Sequence, residues 1–416
     1  MNITKRGRAR RLLANLPLIV LGIVIGVVLA EIGLRLIGYT YPEFYQPDNS
    51  KGYALRPGMH GWYRKEGEAY VQINSDGLRD VEHERAKPGD TIRIAVLGDS
   101  YAEAFQVSKE QAFWSIMEEK LSQCGAFAGK RVEVLNFGVS GYGTAQQLIT
   151  LRERVWTYSP DIVMLTVTTN NDIVDNSRAL KKTDEIPYYV VSNDQLVLDD
   201  SFQDSRSFIW RQSRINRLGR WIRDHSRVIQ TINQAHHGFK ILLASWKKRS
   251  RSAEPPKGET AQPTPANKSD VVARSEELGT DNVIYIEPQD SVWNDAWQVT
   301  EKLIVALRDE VQDHGAKFVV VTLSNGPQVL PDRNAREFFM KRFGVTDLFY
   351  PDNRIKELGS RESIPTITLA PELQEYAEQN KVYLHGFGET IGNGHWNQAG
   401  HRIAGELLAR KMCEPF

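Results

Sequence analysis

Hydrophobic positions along this chain fall into three patterns, each predicting a different element. From Leu12 through Ala30 the residues are uncharged and mostly Leu, Ile, Val and Gly, long enough as a helix to cross a hydrocarbon core of roughly 30 Å. Short runs rich in β-branched residues recur at Ile92–Leu97, Val132–Phe137, Ile162–Val167, Lys317–Leu323 and Ile364–Leu369, as in strands buried on both faces. Between the runs the spacing turns helical. Ser108-Lys109-Glu110-Gln111 reads as a capping box before Phe113, Ile116, Met117 and Leu121. Leu148, Leu151 and Val155 mark a second helix. Val299, Leu303, Leu307 and Val311 mark a third, which stops at Gly315. A last helix starts near Asn397 and carries Ile403, Ala404, Leu407 and Leu408. Alternating β and α of these lengths predicts an α/β fold, a parallel sheet between helical layers.

The alternation is interrupted twice. Residues 39–90 form a lead segment, rich over 46–90 in Gly, Pro and charge; Ala69–Ile73 running into Asn74-Ser75-Asp76-Gly77 predicts a short strand and turn, and a structural role is expected there. Residues 181–285 form a large insertion between the two halves of the α/β domain, 91–180 and 286–416. It opens with a hairpin, Tyr188–Val191 and Leu196–Leu198. A basic helix over Trp210–Ile232 follows, readable as an ordinary amphipathic helix with a solvated face or as a patch for anionic glycan or lipid headgroups. A stretch over 247–280, with Pro255-Pro256 and Pro263-Thr264-Pro265, is expected to be disordered.

Charge places the chain but names no partner. Lys5, Arg6, Arg8, Arg10 and Arg11 precede the apolar run, so residues 1–38 read as a basic cytoplasmic tail and a single transmembrane anchor. The rest is then expected on the far side of an inner membrane, periplasmic or extracellular. A cleaved signal peptide ending at Val28-Leu29-Ala30 is the rival reading, disfavoured by the length of the run. Glu31 and Arg35 are spaced to pair at the outer boundary, and Tyr39, Tyr41, Phe44 and Tyr45 suit an interfacial aromatic belt. Over all 416 residues Lys+Arg and Asp+Glu both number 52, so no global field favours nucleic acid. No Cys/His cluster has metal-ligand spacing, and no cofactor is expected.

Candidate chemistry collects where strands end. The first run stops in Gly98-Asp99-Ser100, at the carboxyl edge where open α/β sheets bind ligands. With the Gly138-Val139-Ser140-Gly141 turn, Asn171-Asp172 and Gly392-Asn393-Gly394-His395, the order of blocks resembles the SGNH (GDSL-type) hydrolase superfamily over 91–172 and about 317–412. The resemblance implies a flavodoxin-like three-layer α/β/α sandwich. It also implies Ser100 as nucleophile, His395 as its base, and oxyanion donors from the Ser100 and Gly138 N–H groups and the Asn171 amide. His385 and His401 are weaker candidates for the base.

Two departures matter. Thr169 stands where the family commonly has Gly. The acid usual two or three residues before the histidine is absent, those positions being Asn393 and Gly392. Asn393 could orient the imidazole but cannot offset its positive charge; Asp352 and Glu389 are nearby acids in sequence only. If the strand order is 2-1-3-4-5, the first and last helices share a face and their C-terminal cysteines, Cys124 and Cys413, can bridge in an oxidising compartment. Together these features predict an anchored serine esterase or O-acyltransferase working through an acyl-serine on an O-acetyl ester of a surface polysaccharide. A transferase would need a multi-span membrane partner as acyl donor. The alternative is a catalytically silent glycan-binding or assembly subunit.

Overall fold

The computed structural model describes residues 5–127, 129–236 and 280–414. The stretch expected to be disordered lies outside them except for Thr280. The described chain divides into two compact units, Met1–Glu43 with Ser213–Gln262, and Phe44–Gln212 with Pro263–Phe416.

The second unit begins with two small hairpins. β1 (Tyr45–Asp48) pairs with β2 (Gly52–Leu55), and β3 (His60–Tyr63) pairs with β4 (Ala69–Gln72). Only the last of these strands has a legible alternation; the others span four residues, too few for a period to stand out. Phe44 and Tyr45, expected at a membrane interface, instead belong here. Phe44 is buried against Phe105, and the Tyr45 hydroxyl bonds the buried Glu103 carboxylate.

Five parallel strands form the central sheet: β5 (Thr91–Leu97), β6 (Arg131–Asn136), β7 (Ile162–Thr168), β10 (Lys317–Leu323) and β11 (Thr366–Thr368). The spatial order is β6-β5-β7-β10-β11, the flavodoxin-like 2-1-3-4-5. Side chains alternate across it. Ala95 and Leu97 join the core beneath the helices Thr144–Glu153 and Ser291–Asp313, whereas Ile94 and Val96 join the opposite core with Phe113–Leu121 and Gln398–Cys413. Burial on both faces explains why these runs are uniformly apolar. The expected capping box is a separate 3₁₀ turn, Lys109–Gln111, and the helix begins at Phe113. Asn397 caps the last helix, its side chain accepting from the N–H groups of Ala399 and Gly400.

The first and last helices lie against each other, so closely that a Cβ on Gly405 would sit 2.5 Å from the Phe113 carbonyl oxygen. Cys124 and Cys413 are bonded, with Cα atoms 6.2 Å apart. The bridge ties residues 289 positions apart and so restrains nearly the whole unfolded domain. Removing it with the Cys124→Ser/Cys413→Ser pair is expected to lower stability by about 2–5 kcal/mol, seen as a lower denaturant midpoint. An unchanged midpoint would show that helix packing alone suffices.

The insertion is more divided than its sequence suggests. β8 (Tyr188–Ser192) and β9 (Gln195–Asp199) form the expected hairpin. The basic stretch is three helices, Arg206–Gln212, Arg214–His225 and one over 227–236, because Ser213 and Ser226 interrupt it. The Ser213 hydroxyl accepts the Asn216 N–H and the Ser226 hydroxyl the Ile229 N–H, each opening a new helix. In the first unit, Lys5–Leu36 is one helix, apolar and long enough over Asn15–Leu36 to cross a membrane.

Candidate active site

Where β5 ends, the backbone must turn sharply into a one-turn helix, Ser100–Glu103. Two glycines permit the crowding. A Cβ on Gly98 would lie 2.1 Å from Thr166 Oγ1, and one on Gly138 would lie 2.5 Å from Ala102 Cβ and 2.6 Å from the Glu103 nitrogen. Gly138→Ala should therefore cost about 1–3 kcal/mol of overpacking, visible as a lower Tm. The Gly138 N–H is donated to Asn136 Oδ1 at 2.9 Å. The N–H expected to serve as an oxyanion donor at Gly138 is therefore engaged by Asn136 in this structure, and the glycine also permits close packing against Ala102.

Asp99 braces the turn. Its carboxylate accepts the Tyr101 N–H at 3.0 Å, the Thr168 hydroxyl at 3.1 Å and the Asn171 side-chain amide at 2.9 Å. Asn171 is thereby held beside the serine turn with one amide hydrogen engaged and a second to spare. Thr169 is buried, and its hydroxyl accepts from Asn325 Nδ2, so the change from Gly is absorbed by a polar contact. Asp172 is buried behind them; desolvation and the Asp99 charge push its carboxyl well above the usual range. It accepts from the Thr168 N–H, Thr144 and Gln147, which makes it structural.

Ser100 and His395 meet directly, Oγ to Nε2 being 2.8 Å. On the far side of the ring stands a residue that the sequence did not mark. Glu66, at the tip of the β3–β4 hairpin, takes the His395 Nδ1–H on Oε2 at 2.5 Å and the His395 backbone N–H on Oε1 at 2.9 Å. Two hydrogen bonds to one histidine fix its position and its tautomer, leaving Nε2 to accept from the serine. Partial burial pushes the Glu66 carboxyl up, but the bonds and positive charge of His395 outweigh it and hold it below its ordinary value. Burial pushes His395 down, and the Glu66 hydrogen bond and charge more than reverse that, leaving its pKa raised.

The missing acid and the glycine just before the histidine have one explanation. Gly394 has φ +85°, and a Cβ there would lie 2.2 Å from Glu66 Oε1. Gly394 thus leaves room for a carboxylate from elsewhere where the segment supplies none. Across the hairpin tip, Gly67 (φ +67°) seats against the Gln106 carbonyl, where a Cβ would approach to 2.3 Å. The lead segment, expected to be structural, therefore carries part of the site. A charged tip followed by glycine was the only sequence trace of it.

The other candidates are placed elsewhere. Asn393 is exposed, and its position beside the ring is taken by Glu66. Glu389 is exposed as well. Asp352 is buried between Thr322 and Gln328, where desolvation pushes its carboxyl up to about 6. His401 lies stacked on Phe113 and accepts that residue's N–H. His385 donates from Nδ1 to the Gly394 carbonyl at 2.7 Å and meets Ser324 Oγ at 3.0 Å through Nε2, and burial lowers it to about 4. It is a neutral strut under the Gly394-His395 loop. Tyr101 completes the support, its ring 5.1 Å from that of His395 and its hydroxyl bonded to the Gly394 carbonyl.

No family model and no curated protein sequence matches the chain. Solved structures do. An acetyl xylan esterase aligns with 77% of this chain and 99% of its own at 14% identity and a TM-score of 0.37. An acetylxylan esterase from Geobacillus stearothermophilus, solved as a catalytic mutant, aligns over 79% and 96% at 12% identity and a TM-score of 0.36. A lipolytic protein of the G-D-S-L family from Desulfitobacterium hafniense aligns over 76% and 98% at 10% identity and a TM-score of 0.34. At these identities and scores, no activity is carried over to this chain.

Proposed function

We propose that this protein is a membrane-anchored, SGNH-type serine esterase whose triad is Ser100, His395 and Glu66. The observation that carries the reading is the unbroken chain from Glu66 Oε2 through His395 to Ser100 Oγ, at 2.5 and 2.8 Å. A serine hydroxyl is a poor nucleophile until a base takes its proton, and Nε2 is in reach to do so. As Oγ bonds to an ester carbonyl carbon, the proton passes to Nε2 and Glu66 stabilises the imidazolium. The oxyanion is met by the Ser100 N–H and the second amide hydrogen of Asn171. Collapse expels the alcohol with the proton from His395, leaving an acyl-serine. An acceptor hydroxyl, deprotonated by the same Nε2, then releases the acyl group.

Water as acceptor makes the enzyme a hydrolase, and a sugar hydroxyl makes it a transferase. We take hydrolysis of an O-acetyl ester on a polysaccharide as the reading. The resemblance in the four sequence blocks supports it, and the apolar Asn15–Leu36 helix supports an anchored site facing a periplasmic or extracellular glycan. A transferase would add a multi-span acyl donor. A catalytically silent glycan-binding subunit has less support, because a site without chemistry has no need of a carboxylate on the far side of His395.

The test is to give the full chain, in detergent, a chromogenic acetyl ester and, separately, a serine-directed fluorophosphonate. Hydrolysis together with label on the peptide holding Ser100, both lost in Ser100→Ala, is the expected result. Label without hydrolysis would indicate a transferase. Neither would overturn the enzymatic reading.

A further inference from the structure

The first unit holds an amphipathic helix turned inside out. In Arg214–His225 the residues Ile215, Leu218, Trp221 and Ile222 fall within an arc of about 120° at 100° per residue. Such a stripe ordinarily faces a core. Here it faces outward: Ile215 is 69% exposed, Leu218 58% and Trp221 57%. Asn216, Arg217, Arg220, Arg223 and Asp224 occupy the opposite arc, while Arg214 and His225, the first and last residues of the helix, fall within the apolar one.

What lies next to that stripe follows from how the helix is fastened. Glu31, near the outer end of the apolar helix, accepts the N–H groups of Arg227 and Val228, each at 3.0 Å, and the Ser226 hydroxyl at 3.1 Å. It thereby caps the helix over 227–236. Arg35, paired with Glu31 at 2.8 Å, donates to the His225 carbonyl at 2.7 Å and so satisfies the end of Arg214–His225. The Tyr41 N–H adds a bond to the buried Gln230. Both ends of the Ser226 break are thus bolted to the last turns of Asn15–Leu36, whose own large apolar side chains are exposed except for the half-buried Leu34.

We propose that Arg214–His225 lies in the membrane interface, its apolar stripe sunk into the boundary of the acyl chains and its arginines against anionic phosphate headgroups. The proposal rests on Asn15–Leu36 spanning the bilayer. Continuity with that span selects lipid over a second protein: the end of the striped helix is fastened to Glu31 and Arg35, in the last turns of the span. Trp at the stripe's edge and flanking arginines with long stems are the side chains such a boundary accommodates.

The native cysteines are paired with each other, so a single introduced cysteine can carry a nitroxide. Leu218→Cys and Asn216→Cys, each in the full chain, are labelled and reconstituted into nanodiscs of phosphatidylcholine with or without phosphatidylglycerol. Collision rates with oxygen and with a water-soluble nickel chelate are then measured. The expected result is oxygen-dominated relaxation at 218, at a depth of about 5–10 Å below the headgroups, and chelate-dominated relaxation at 216. Phosphatidylglycerol should deepen 218, and Arg214→Glu/Arg217→Glu should abolish that increment. Equal chelate access at 216 and 218 overturns the proposal, as does shielding of 218 from both reagents, which marks a protein contact. If alkaline carbonate strips the chain from membranes, the span has failed and the proposal with it; retention of the chain with 218 in water defeats the proposal alone.

Discussion

Glu66→Gln is expected to lower kcat on the chromogenic ester by about four orders of magnitude with little change in KM, the size of loss that follows when a triad acid becomes an amide. The glutamine keeps the shape but cannot stabilise the imidazolium, and its NH₂ can turn toward Nδ1 and favour the wrong tautomer. The pH profile should move as well. His395 must be neutral to take the serine proton, so kcat/KM of the wild type falls as pH drops through its pKa, which Glu66 holds above the ordinary 6.5. Without the Glu66 charge, burial is the larger remaining influence and acts downward, so the acid limb of the variant should shift to lower pH. Steady-state kinetics from pH 5 to 9 check both. A variant within about threefold of wild type, with its acid limb unmoved, would reduce Glu66 to a packing residue.

Gly394→Ala should approach the same defect without touching an ionisable group. Its Cβ would lie 2.2 Å from Glu66 Oε1, and φ +85° is a conformation that alanine adopts only under strain. The hairpin tip or the histidine loop has to shift, and either movement opens the Glu66–His395 contact. We expect kcat to fall by about 10²–10³, by analogy with displacements of about 1 Å in other positioned sites. The acid limb should fall in the same direction as in Glu66→Gln. Combining the two substitutions should cost little more than Glu66→Gln alone, because both remove one interaction. Full additivity in the double variant would mean that Gly394 acts on something other than Glu66.

Much of this site was written locally. The Gly98-Asp99-Ser100 turn needs only a buried strand and an abrupt end, and both are visible in a window of nine residues. His395 precedes an asparagine cap and a periodic helix, signals that are also local. Gly138 shows the limit of such reading. A glycine after a strand looks alike whether it offers an N–H to a substrate or lets Ala102 pack at van der Waals distance, and only the Asn136 contact separates the two. The basic stretch shows a different limit. It reads as one helix although Ser213 and Ser226 divide it, and which face of a helix meets a core depends on what else the chain brings to it.

By itself, the sequence determined the layers, because uniform apolar runs have to be covered on both faces and the periodic segments between them do the covering. It also pointed to Ser100 and His395 as the candidate pair, one beside a strand end and the other before a helix start, and the structure brings them within 2.8 Å. The carboxylate partner of His395 was decided only by tertiary structure. Glu66 lies 329 residues from the histidine it holds, in a hairpin too short to show a period, and is bound through a gap left by a glycine. Hydrophobic patterning specifies which face of an element is buried, but it does not say which loops meet above the sheet. That meeting is set by the close approach of Gly67 and Gly394 to backbone and carboxylate across the fold.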